Sequence, residues 1–119
     1  MADNTFPRKD RILTSGDYDK VFQHCIRASV RGILVLGHKN EITEHSRLGL
    51  VIPKKVLKRA VWRNRVKRVA REAFRLSKKS YPCIDFVVIA KPGIKDINNT
   101  ELTRILLDLW EQISRRLPA

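Results

Sequence analysis

Cysteine is nearly missing from this chain of 119 residues: only Cys25 and Cys83 occur, far apart and outside any Cys-x-x-Cys pattern. That excludes a disulfide framework and a four-ligand zinc site, and it leaves both as reduced, structural thiols. Glycine and proline are sparse, five of each. No glycine-rich phosphate loop, low-complexity tract, repeat or internal linker divides the chain, so one domain is expected over residues 1–119, with 1–10 flexible. Long apolar runs are missing as well. The longest are of strand length and MADNTFPRKD has no apolar signal core, so the expectation is a cytoplasmic protein with no membrane partner. His24, His38 and His45 lack metal-ligand spacing, and the acids do not cluster as a two-metal nuclease needs. No catalytic side chain and no protein-held metal are expected.

Acidic residues are the other scarcity, 12 against 25 Lys and Arg, for a formal charge of +13. Self-repulsion on that scale disfavours compaction unless a polyanion neutralises it. Apolar residues still make up 43%, enough to offset chain entropy in a folded domain. The charge is concentrated. Between Lys54 and Arg75 ten cations face one acid, Glu72.

The apolar spacing gives an order α-β-β-α-β-α. Ser15 can cap a first helix carrying Tyr18, Val21, Phe22 and Cys25, with Asp17 and Asp19 in its first turn. Gly32–Leu36 and Leu48–Ile52 read as an antiparallel strand pair around a polar loop, and Pro53 ends the second. From about Val56 to Leu76 a helix places Trp62, Val66, Val69, Ala70, Ala73 and Phe74 on one stripe. Asn64, Arg68, Arg71 and Arg75 then fall on the opposite face, with Arg65 and Lys67 on its flanks. Phe86–Ala90 reads as a buried strand, and Asn99 or Thr100 caps a last helix carrying Leu102, Ile105, Leu106, Leu109 and Ile113. The middle helix lies between two strands, so a βαβ unit is expected, right-handed by the general rule.

A charge run is ordinarily a solvated face. Ten like charges with one acid forgo the pairs that stabilise such a face, and like-charge neighbours cost a few tenths of a kcal/mol each. A polyanion site explains the pattern better. From Arg59 to Arg75 six arginines stand against one lysine, and the guanidinium fork suits phosphate and base stacking more than a generic acidic surface. Asn64, the neutral member of the outward set, can meet a base edge, a ribose hydroxyl or a phosphate. Tyr18 and Phe22, four apart on one helix, fit core packing first, the ordinary role of aromatics on an apolar helical face, with a stacking platform for single-stranded RNA as the functional alternative.

The stretch KKVLKRAVWRNRVKRVAREAFR, Lys54 to Arg75, resembles the protein subunit of bacterial ribonuclease P, whose signature is Arg-Asn-Arg followed by Lys-Arg and Arg-Glu/Gln-Ala-Phe. The likeness extends to Phe6-Pro7, Arg11-Ile12-Leu13, Tyr18, Val21-Phe22, Arg47-Leu48-Gly49-Leu50-Val51 and Phe86–Ala90. It implies an α+β domain like domain 2 of ribosomal protein S5, a central sheet packed by helices with a left-handed βαβ crossover. It also implies a basic partner of a catalytic RNA, which itself performs magnesium-dependent removal of the 5′ leader from precursor tRNA. Mg2+ would be held mainly by RNA and substrate, and a protein homo-oligomer is not required. By that resemblance Lys54, Lys55, Arg59, Arg63, Asn64, Arg65, Lys67, Arg68 and Arg71 contact the catalytic RNA. Tyr18 and Phe22 line a cleft for the leader. At a first-strand position where some members carry an aromatic, this sequence places Leu36. Trp62, just before the motif, is open to a core or a rim role. A ribosome-associated RNA-binding module and an independent nuclease are the alternatives to this reading, and a helix lying on anionic membrane is a weaker one.

Overall fold

The computed structural model describes residues 11–12, 15–40, 45–77, 81 and 83–117. Residues 1–10 with Phe6-Pro7, Leu13, the Ser15 side chain, 41–44 of the expected loop, and Pro82 lie outside that description. Helix α1 (Ser15–Gln23) leads into β1 (Ile26–Val30), β2 (Ile33–Lys39) and β3 (Arg47–Val51). Helix α2 (Ala60–Ser77), β4 (Ile84–Ala90), a 3-10 turn at Ile94–Asp96 and α3 (Asn99–Arg116) complete the chain. The strands form one mixed sheet in the order β1-β2-β4-β3. Its β1–β2 and β2–β4 pairs are antiparallel and its β3–β4 pair is parallel. The fold is a single α+β domain, and α2 is the crossover between the parallel neighbours β3 and β4.

Two features of the sheet differ from the sequence expectation. The order gains a strand, β1, which pairs with β2 through the two-residue turn Arg31-Gly32, where Gly32 takes the φ of +92° that a side chain disfavours. Of its five residues only Ala28 is buried, too little apolar signal for a strand to stand out. The two apolar runs read as an antiparallel hairpin are not neighbours at all, because β4 lies between them. The cause is β4 itself: IDFVVIA is buried at six of seven positions, and a strand apolar on both faces belongs in the middle of a sheet.

The helix boundaries shift for local reasons. Pro53 carbonyl accepts from the amides of Val56 and Leu57, so this stretch is a separate turn that buries Leu57, and α2 starts at Ala60 rather than near Val56. The α3 cap is Asn98, whose side chain accepts from the Glu101 amide at 2.8 Å, rather than the expected Asn99 or Thr100. Cys25 lies just beyond the end of α1.

Helices α2 and α3 cover one face of the sheet. Val66, Ala70, Ala73 and Phe74 from α2 meet Leu102, Leu106, Leu109, Trp110 and Ile113 from α3 over Val35, Phe86 and Val88. Trp110 anchors this layer, its ring 5.8 Å from both Phe74 and Phe86. Full burial of each large apolar side chain here contributes about 1.5–3 kcal/mol. The opposite face carries α1 alone, with Val21 packed among Ile12, Leu36 and Val87. A single short helix cannot cover four strands. Leu34, Ile89 and Val51, side by side on β2, β4 and β3, therefore stay half-buried beside α1.

Candidate RNA-binding surface

The stripe expected on α2 is the buried one: Val66, Ala70, Ala73 and Phe74 are in the core, with Trp62 and Val69 packed against it. The opposite face consequently presents Asn64, Arg68 and Arg71, all exposed, while Arg75 is half-buried. Lys54 and Lys55 are exposed on the turn after β3, and Arg59 is exposed just before α2. Arg75 holds the helix's one acid, its Nε 3.1 Å from Glu72 Oε1, and that hydrogen bond lowers the Glu72 carboxyl below the usual glutamate range. Arg68 has no side-chain partner among the described residues.

Arg63 and Arg65 also brace the backbone. Arg63 Nη1 donates to the carbonyls of Leu57 and Lys58 at 2.8 and 2.9 Å, closing the turn that leads into α2. Arg65 Nη1 donates to Ile97 O at 3.0 Å and to Asn99 Oδ1 at 2.7 Å, tying α2 to the start of α3. Spacing shows which way a side chain points, and it carries no sign of such carbonyl partners.

Lys67 and Arg71, on the other flank of α2, share a recess of about 210 Å³ with Tyr18 of α1 and Leu48, Gly49 and Leu50 of β3. The recess joins the cationic helix to the first helix through an edge of the sheet. Tyr18 is half-buried and Phe22 is 44% exposed. Their rings lie near-parallel, at 24° with centroids 6.3 Å apart. Neither ring belongs to the fully buried core. Leu36 does, at 2% exposure, beneath Val21 rather than at the surface.

Glycine at position 49 makes this arrangement possible. A Cβ there would stand 2.8 Å from the Tyr18 ring, so the ring lies directly on the β3 backbone, hydrogen-bonded to Leu50. Burial raises the Tyr18 hydroxyl above the ordinary tyrosine value, and the Leu50 bond partly offsets that; the side chain is neutral at physiological pH. Gly49→Ala is expected to push Tyr18 off the sheet and cost about 1–3 kcal/mol, measured by urea unfolding, whereas Gly49→Ala with Tyr18→Ala should recover most of that loss.

The pitch of α1 is set by charges that spacing did not single out. Arg47 on β3 grips Asp85 on β4 through Nε at 2.9 Å and Nη2 at 2.7 Å, and reaches Asp17 on α1 at 3.3 Å through Nη1. Asn40 Nδ2 donates to Asp85 Oδ1 at 3.0 Å. The bond to Asp85 holds the Arg47 guanidinium above the usual arginine value. Asp85 is 4% exposed, and an Asp inside a strand that is otherwise apolar was the available clue.

Among the described residues no three His, Cys, Asp or Glu side chains converge as a metal cage needs, and no helix is long and apolar enough to cross a membrane.

A mixed sheet with α2 as the βαβ crossover is an architecture already seen in solved structures. The ribonuclease P protein of Staphylococcus aureus superposes with a TM-score of 0.81 at 27% identity, over 88% of this chain and 97% of that one. The ribonuclease P protein of Thermotoga maritima gives 0.75 at 27%, over 91% and 98%. Residues 6–114 match the Ribonuclease P family. The "Ribonuclease P protein component" of Yersinia enterocolitica and that of Serratia proteamaculans are each 45% identical over all of this chain and 99% of their own length. The chain belongs to the ribonuclease P protein family, the protein-component class of a tRNA-processing ribonuclease.

Proposed function

We propose that this chain is a cytoplasmic protein that orders and neutralises RNA and leaves the cutting to its RNA partner. The exposed face of α2, with Lys54, Lys55, Arg59, Asn64 and Arg68, binds the catalytic RNA of ribonuclease P. Arg63 and Arg65 contribute from the helix flank, and Lys67 and Arg71 from the side of the recess. The groove between α1 and the sheet receives the single-stranded 5′ leader of precursor tRNA, with Tyr18 and Phe22 as stacking surfaces. The observation that carries this reading is the recess in which Tyr18, Gly49, Lys67 and Arg71 meet. With Arg11 also lining it, it brings a ring, a strand edge and three cations together, as a nucleotide strand requires.

Mg2+ is assigned mainly to the RNA and the substrate, where it activates water and stabilises the leaving oxygen. The protein's own contribution is electrostatic and positional. Its cations offset repulsion between two RNAs, and contacts to the leader raise affinity for precursor above that for mature tRNA. By linkage, whatever tightens the productive complex also tightens the metal bound within it.

Cleavage of 5′-labelled precursor tRNA at low, near-physiological Mg2+ is the test. Activity is expected only when a bacterial ribonuclease P RNA and this protein are combined. No stimulation despite RNA binding points to a structural RNA-binding module, and cleavage by protein alone points to an independent nuclease. Arg68→Ala is the cleanest probe of the helix face, since Arg68 supports nothing else in the fold. It is expected to weaken binding to the catalytic RNA about tenfold, read by filter binding. Unchanged affinity would remove α2 from the interface.

A further inference from the structure

We propose that Trp62 gathers a second cationic patch, Lys95 and Arg59 with the outer edge of Arg65, which carries the RNA-binding face beyond α2 onto the turn before α3 and seats on the phosphate backbone of the catalytic RNA. This rests on the assignment of α2 to that RNA. It adds a residue from outside the basic helix, and it gives Trp62 a part in binding.

The Lys95 ammonium lies 3.7 Å from the centroid of the Trp62 ring and Arg59 Cζ lies 5.3 Å from it, both within cation–π range. Lys95 sits on the 3-10 turn at Ile94–Asp96, so the ring collects cations from two separate parts of the chain. Two like charges on one ring repel each other, in a chain that already carries +13. Without an anion the arrangement works against the charge balance of the fold. With one, the ring has already restricted two side chains that are otherwise rich in rotamers, so less freedom is lost on binding.

Arg65 completes the patch on the same flank. Its Nη1 is spent on Ile97 O and Asn99 Oδ1, which fixes the guanidinium plane. Nε and Nη2 have no partner among the described residues, and that edge is the one that grips a phosphate side-on. Between Arg65 and Lys95 lies a recess of about 570 Å³, open to solvent and lined also by Asn98, Asn99 and Thr100. Cations beside neutral hydrogen-bonding groups match a phosphate and its ribose. The open shape fits the ridge of a folded RNA rather than an enclosed small molecule. Asp96 is the acid in the recess; Glu101 is engaged by Arg104 at 3.3 Å. The amide end of α3 adds little, because the Asn98 side chain already occupies the Glu101 amide.

The test is equilibrium binding of a bacterial ribonuclease P RNA transcript to the full chain over a series of salt concentrations. Lys95→Gln is expected to weaken binding about three- to tenfold and to reduce the slope of log affinity against log salt by about 1. Trp62→Leu keeps the apolar contact and every charge, so it should weaken binding to a similar degree with the slope unchanged. Should Trp62→Leu melt too early to be read, Lys95→Gln and Lys95→Glu, at an exposed position, decide the matter. Wild-type affinity and slope in Lys95→Gln, beside a weakened Arg68→Ala, overturn the patch alone. Wild-type behaviour in both overturns the assignment of α2 as well. A changed ratio of precursor to mature tRNA affinity in the Lys95→Gln holoenzyme, at unchanged affinity for the catalytic RNA, assigns the patch to substrate and also overturns the proposal.

Discussion

Asp85→Ala is expected to cost about 3–5 kcal/mol of folding stability, a large share of what a domain of this size possesses. The carboxylate is almost completely buried, and removing it strands the Arg47 guanidinium in a low-dielectric site with only the longer contact to Asp17. The melting temperature should fall by roughly 10–20 °C. A double-mutant cycle separates the pair from its surroundings. Arg47→Met with Asp85→Leu removes both charges and keeps the volume, so it should be far more stable than Asp85→Ala alone. Additive losses in urea unfolding would mean that the two residues act independently, against the bidentate geometry.

The second large effect concerns substrate choice. Phe22→Ala and Tyr18→Ala are each expected to remove most of the preference for precursor over mature tRNA. The loss should be about 5- to 150-fold in precursor affinity, the worth of about 1–3 kcal/mol for a base on an aromatic ring, with mature tRNA little affected. Tyr18→Phe keeps the ring and gives up only its hydrogen bond with Leu50, so it should behave almost as wild type. The measurement is competitive binding of precursor and mature tRNA to the reconstituted holoenzyme. Equal losses for the two RNAs in the alanine variants would take the leader out of this groove.

The features most legible in the sequence were those carried by a strong period. Helix α2 declared both of its faces, because an apolar step of three and four residues fixes every other side chain by geometry: Asn64, Arg68 and Arg71 are exposed where that geometry puts them. Strand β4 was legible as buried because its apolar run is continuous. Its neighbours were not. Pairing is a long-range choice, and two apolar runs separated by a mostly polar stretch look like a hairpin until a strand apolar on both faces claims the space between them. Strand β1 escaped because IRASV buries a single small side chain. The alternation of Ile26, Ala28 and Val30 before Arg31-Gly32 was its only trace.

The site followed the same division. Residue type and spacing put forward Tyr18, Phe22 and the α2 cations as candidates. The role of Arg63 in bracing the fold depends on the turn at Leu57 and Lys58 just before α2, and that of Arg65 on a carbonyl brought near by tertiary structure. The Arg47, Asp85 and Asn40 network depends on register between strands that are distant in sequence. Gly49 stands in a stretch that resembles the family, but only the fold shows that Tyr18 occupies the space a side chain would need.

The position of β4 also governs how the molecule is made. β4 is the last of these four strands to leave the ribosome, yet β2 needs it as its second neighbour and β3 as its strand partner. A nascent chain ending before Ile84 owns one hairpin, β1 with β2, and an unaccompanied β3. The ten cations between Lys54 and Arg75 have by then been synthesised, attached to a helix whose apolar stripe has no layer to rest on. Sheet closure waits for the C-terminal third of the chain, and such late, non-local pairing slows folding and prolongs exposure of unpaired edges. For this protein, synthesis is the interval in which a basic, half-built sheet is most open to unintended contact with whatever RNA lies nearby.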